Sequence, residues 1–208
     1  MTLRICMLAA AFAAILPVSA QAQLEASKEV KVRVKGMNVD VQYTPQFSVP
    51  NVKDKRFRPK NWLELDVAFD ADKAKVAGEN NPMIDSLEFK FYVVLNVRNK
   101  EGKLTMLTAN ATFINIMERE ESHVLMYVSP ATLTNLLQKN TFTPADVSAF
   151  GVEVYKNGAA AGRHISTGAT PFWDKADNFV VVDGSLLPKA KTPFAPLWGD
   201  YDVEMKAQ

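Results

Sequence analysis

The sequence predicts an all-β, mainly antiparallel fold. Apolar residues recur at every second position over most of the chain, and turn residues separate the alternating runs at hairpin spacing. Helical periodicity is confined to one short stretch, so the alternating strands and helices of a parallel sheet are missing.

The elements follow in order. Val30, Val32 and Val34 alternate with charged residues, and after Gly36 the ladder resumes at Val39, Val41 and Tyr43. A glycine at such an interruption marks a bulge or a crossing between sheets. Asn51 to Lys60 is a loop, followed by the alternating run Leu63, Leu65, Val67 and Phe69. The clearest run is Leu87, Phe89, Phe91, Val93, Leu95 and Val97, which Asn99-Lys100-Glu101-Gly102 turns into a second long strand, Leu104 to Met117. That second strand changes phase near Thr112, as a bulge or twist would make it.

Val124, Met126 and Val128 make a further strand, and then comes the helix. Ser129 suits its cap, Pro130 its first turn, and Leu133, Leu136 and Leu137 share one face, with Asn140 as the stop. Val147 to Tyr155, the turn Asn157-Gly158 and a return through Arg163-His164-Ile165 form another hairpin. Phe179 to Val182 reads as a short buried run ended by Asp183-Gly184, and Pro188 to Tyr201 as a tail laid over the body. Seven to nine strands with one late helix point to an immunoglobulin-like β-sandwich, with a β-barrel as the alternative.

Residues 1–22 have a different character. Arg4, an apolar run from Ile5 to Val18 and the ending Ala20-Gln21-Ala22 read as a secretory signal peptide, too short to span a bilayer as a stable helix. Cleavage after Ala22 makes residues 23–208 a single domain with an aromatic, proline-rich tail at 188–208, exported to the periplasm, the cell surface or the medium. The chain's one cysteine, Cys6, lies before most of the apolar run, where a lipidated cysteine would not sit. Its removal excludes disulfides, thiol catalysis and cysteine-ligated metals. Beyond Ala22 no apolar run reaches transmembrane length. The 23 bases and 23 acids left there cancel, against general nucleic-acid binding.

No residue constellation announces a reaction. His123 and His164 stand near strand ends without a Gly-x-Ser-x-Gly turn, and two histidines do not make a three-histidine zinc site. Asp66, Asp70 and Asp72 read as a charged strand face, with a calcium site as the alternative but without the loop of an EF-hand. Glu118 to Ser122 reads as a charged turn. No cofactor and no catalytic residue is expected; a carboxylate-dependent hydrolase is the least favoured reading and needs two acids facing each other across a groove.

Two segments remain as contact candidates. Lys53-Asp54-Lys55-Arg56-Phe57-Arg58-Pro59-Lys60 gathers five bases around one aromatic, suited to an anionic surface, with Lys55, Arg56 and Arg58 at its centre. Thr192 to Tyr201 packs Phe194, Trp198 and Tyr201 among prolines, suited to a partner groove, to sugar rings, or to covering an open sheet edge. Phe172 and Trp173 are expected to extend that aromatic patch.

The exported cysteine-free sandwich, the helix at Ser129 to Asn140 and the tail Thr192-Pro193-Phe194-Ala195-Pro196-Leu197 resemble small secreted Ig-like proteins associated with type IV pilus-like systems of gut bacteria. The resemblance covers the whole mature chain and implies no catalytic residue. The long apolar N-terminal helix of true pilins is missing, so it implies an accessory or surface-exposed protein, not the filament subunit. Expected partners are an envelope or appendage protein, or a surface glycan.

Overall fold

The structure, a computed structural model, describes residues 26–78 and 80–207; the signal peptide expected over residues 1–22 lies outside them. The described residues form nine strands: β1 (Val30–Tyr43), β2 (Asn61–Lys73), β3 (Met83–Arg98), β4 (Leu104–Met117), β5 (Ser122–Val128), β6 (Val147–Lys156), β7 (Ala159–Ile165), β8 (Phe179–Asp183) and β9 (Leu186–Pro188). They build a four-stranded sheet in the order β1-β2-β5-β9 and a five-stranded sheet in the order β7-β6-β3-β4-β8. All neighbours are antiparallel except β4 and β8. Two sheets face each other and no barrel closes, as a sandwich requires.

Alternation sends one side of each strand into the shared core. Leu63, Leu65, Val67 and Phe69 of β2 meet Leu87, Phe89, Phe91 and Val93 of β3, all at most 1% exposed. Phe89 sits at the centre, its ring centroid 5.1 Å from Phe69 and 5.3 Å from Phe113, both edge-on, the geometry that aromatic quadrupoles favour.

The irregular positions follow from local sequence. In β1 the register slips between Val34 and Gly36, as the glycine implies. In β4 the phase change falls at Ile114 and Asn115, past the expected Thr112; Asn115 takes a left-handed φ of 58°, and Ile116 regains the core. The helix α1 (Pro130–Leu137) opens with Thr132 N–H donating to Ser129 Oγ at 3.1 Å. It ends at a left-handed Gln138, earlier than the expected Asn140. The run at Phe179 to Val182 corrects the expected buried strand: β8 is a parallel edge strand on β4, with Val180 and Val181 exposed.

Both ends of the sheets are tied across the sandwich. On one side β1 lies against β7, where Ser27 N–H donates to the Ala160 carbonyl at 2.8 Å. Gly162 is what permits the approach: a Cβ there would come within 2.5 Å of the Val32 carbonyl oxygen. On the other side residues 202–206 run from β5 to β4. Val203 N–H bonds the His123 carbonyl at 2.9 Å, Ile114 N–H the Glu204 carbonyl and Lys206 N–H the Thr112 carbonyl, both at 2.8 Å.

The Gly162→Ala change should therefore destabilise the protein by about 1–3 kcal/mol, because the obstacle is backbone and cannot rotate away. Gly36→Ala, with open space around it, should stay within about 0.5 kcal/mol of wild type. Urea unfolding of the two variants checks the contrast; equal stabilities would remove the close approach as a constraint.

Candidate functional site: the C-terminal face and the β1–β2 loop

Alternation also decides what faces outward from the first sheet. Trp62, Glu64 and Asp66 share the outer side of β2, and strand pairing sets Glu64 opposite Tyr127 and Asp66 opposite Leu125 of β5. The tail closes over this side. Phe194 is 1% exposed and stacks on Tyr127 at a centroid distance of 4.6 Å, with Trp62 edge-on at 5.8 Å. Leu125, Tyr127 and Phe194, with Trp62 and Leu197 against them, form a second small core outside the sheet.

Polar groups beneath the tail are matched pair by pair. Tyr127 donates its hydroxyl to Glu64 at 2.6 Å, and Gln42 Nε2 donates to the other Glu64 oxygen at 3.1 Å. Burial, then the hydrogen bond to that carboxylate, hold the Tyr127 hydroxyl protonated far above the ordinary tyrosine range. Asp66 accepts from Tyr201 at 2.6 Å, and its other oxygen lies 2.8 Å from His123 Nδ1, while the Tyr201 and His123 rings stack at 4.2 Å. Burial and Asp66 raise Tyr201 in the same way. The buried Lys189 ammonium is paired with Asp202 and donates to the Trp198 carbonyl at 3.1 Å. A hollow of about 200 Å³ remains, lined by Gln42, Glu64, Asp66, Leu125, Trp198 and Tyr201.

Chemically this arrangement holds and covers. In the Asp66–His123 pair, Tyr201 stacks on the imidazole and sends its hydroxyl to the carboxylate, while the other ring nitrogen, Nε2, lies 3.7 Å from Glu121 and not beside a serine or threonine hydroxyl as a triad would place it. Glu64 and Asp66 project side by side from one strand, each hydrogen-bonded, and do not face each other across a groove. The aspartates considered for calcium are divided. Asp70 and Asp72 pair with Arg33 at 2.8 Å each, whereas Asp66 belongs to the tail, and no metal-holding group of acids and histidines occurs among the described residues.

The aromatic candidates separate likewise. Phe194 is buried and works as the tail's anchor, which leaves Trp198 and Tyr201, both 45% exposed, to meet solvent. Trp198 holds a left-handed φ of 52°, uncommon for so bulky a residue. Trp173 does not extend their patch. It covers the outer side of the other sheet, stacked on Tyr92 at 4.3 Å and seated over Gly151, where a Cβ would meet its ring at 2.3 Å.

The basic candidates stand apart from any cover. Thr44 pinches the base of the β1–β2 loop: its N–H donates to the Lys60 carbonyl at 2.9 Å, and its hydroxyl oxygen accepts from Trp62 Nε1 at 3.1 Å. Between these ends every residue from 46 to 58 is exposed. Lys53, Lys55, Arg56, Arg58 and Lys60 form no ion pair with any described residue. The same segment exposes Phe47, Val49, Val52 and Phe57, four of the ten large hydrophobics exposed among the described residues, and Tyr43 is exposed beside it at the end of β1. Sequence reasoning singled out the charges and Phe57 but missed Phe47, Val49 and Val52, whose signal is their place among Pro45, Pro50 and Pro59, which break a strand pattern.

A protein-family model matches residues 23–208. The chain belongs to that family. A crystal structure of a protein from Akkermansia muciniphila is similar in fold, with a TM-score of 0.77 at 21% identity, covering 86% of this chain and 95% of that one. No curated protein matches the sequence. No helix among the described residues is long and apolar enough to cross a membrane.

The division of labour within the tail is measurable. Phe194→Ala should cost about 3–5 kcal/mol, as deletion of a buried aromatic does, and Trp198→Ala about 1 kcal/mol or less. Thermal and urea unfolding read both; comparable losses would mean that the tail does not anchor through Phe194.

Proposed function

We propose that the chain is a non-enzymatic binding and assembly module of the bacterial cell envelope, accessory to a pilus-like appendage. Family membership over residues 23–208 and the fold shared with a protein of a gut bacterium support this reading. The observation that carries it is the β1–β2 loop. Long connections without secondary structure are uncommon in compact domains and are frequently functional. This one places unpaired cations and uncovered apolar side chains together, on a sandwich whose two outer sides each bury an aromatic cluster of their own. Apolar surface rimmed by charge is a contact surface.

A photo-crosslinking residue at position 57 in the native host tests the reading. The expected result is covalent capture of envelope components, abolished when Lys55, Arg56 and Arg58 are changed to serine. A protein recovered wholly in the soluble fraction, without adducts, would overturn it.

A second reading, carbohydrate contact, is favoured by Trp198 and Tyr201 standing half-exposed over the hollow beside Glu64 and Asp66. Aromatic faces and hydrogen-bonding acids suit a sugar ring. Calorimetry with surface glycans should then give binding that Trp198→Ala removes without loss of fold; unchanged binding in the variant would end this reading.

A further inference from the structure

We infer that the β1–β2 loop docks on an anionic lipid bilayer surface, its cations on headgroups and Phe47, Val49, Val52 and Phe57 in the interfacial layer. This rests on the envelope reading above and names the partner of the same loop.

Three observations favour lipid over a protein partner. The first is charge separation. The loop from Thr44 to Lys60 carries five bases and one acid, and the rest of the chain nineteen bases and twenty-two acids. An anionic surface therefore attracts the loop and repels the remainder, which orients the molecule loop-down. The second is the interleaving of charge with apolar residues. Lysine and arginine stems lie along an apolar boundary while their heads stay among headgroups, so bases flanking Phe57 assist its insertion. The third is the backbone. Residues 45–59 contain no strand or helix, so the loop offers neither an edge for strand addition nor a helical face for a groove. Pro45, Pro50 and Pro59 bring no N–H that would need a partner at the interface. A fluid surface accepts such a loop without shape complementarity, whereas a protein interface requires it. The pinch at Thr44 ties both ends of the loop to the sandwich and presents it as a unit.

Flotation with vesicles tests the inference, using the chain from residue 23, which contains the whole sandwich and omits the apolar leader. Binding is expected to vesicles of phosphatidylethanolamine with phosphatidylglycerol, to weaken as salt is raised, and to be negligible on phosphatidylcholine alone. Lys55→Ser/Arg56→Ser/Arg58→Ser should weaken it by on the order of a hundredfold, and Phe47→Ser/Phe57→Ser by at least about tenfold. Lys28→Ser/Lys100→Ser/Lys103→Ser, an equal loss of charge elsewhere, should bind as wild type. All these residues are exposed apart from the half-buried Lys103, and circular dichroism verifies the fold of each variant. Equal binding to neutral vesicles, equal weakening by the distant triple change, or no binding at all would each overturn the inference. If vesicles fail but the residue-57 crosslinker captures an envelope protein through the same bases, the loop's partner is protein. The envelope module then stands and the lipid inference falls.

Discussion

Residues 202–206 must satisfy two open sheet edges at once, and the rest of the sandwich depends on that constraint. An unpaired edge leaves a row of donors and acceptors open to any other chain. Here one short segment bonds β5 through His123 and β4 through Thr112 and Ile114, joining the two sheets where β9 has ended. The segment is held by the buried Lys189–Asp202 pair and by Phe194 clamped on Tyr127. Removing one member of a buried pair leaves an uncompensated charge, so these contacts act together to hold the tail in one place. At the opposite side Gly162 lets β7 approach β1. The product is a body whose aromatic residues are largely spent on its own closure.

That closure gives the β1–β2 loop its significance. Several cations of the first sheet and the turn beside it are neutralised in place: Arg33 by Asp70 and Asp72, Lys35 by Asp70 and Glu121, Arg119 by Glu118 and Asp72. The loop's five bases are left without such partners, beside apolar groups equally without cover. Exposed ion pairs contribute little stability, so the contrast bears on interaction more than on folding. A charged, apolar loop on a rigid support is the common arrangement for a contact surface.

Much of the fold was legible because period-two alternation reports burial directly. The hairpins around Asn99 to Gly102 and Asn157-Gly158, the glycine slip in β1 and the Ser129 cap all follow from local chemistry. What local pattern could not carry was which surface each segment covers. Phe179 to Val182 has the composition of a core strand, yet it pairs at an edge, because the preceding connection returns it parallel to β4. Trp173 and Trp198 look alike in sequence but lie on opposite outer sides of the sandwich. The cluster of Asp66, His123 and Tyr201 joins residues up to 135 positions apart, so it requires the register of β2 on β5 and the path of the tail. Glu64 and Tyr127 are likewise unremarkable until pairing sets them opposite each other.

The most direct test of the account is amide hydrogen exchange across the chain from residue 23 in solution. Local exchange reports how firmly each segment is held. The account predicts that Val203 and Lys206 are protected to the level of β5 and β4, while residues 46–58 exchange almost at once. A tail exchanging as fast as the loop would contradict it: the C-terminal segment would then be a free arm, and the aromatic residues assigned to closing the sandwich would be available for binding.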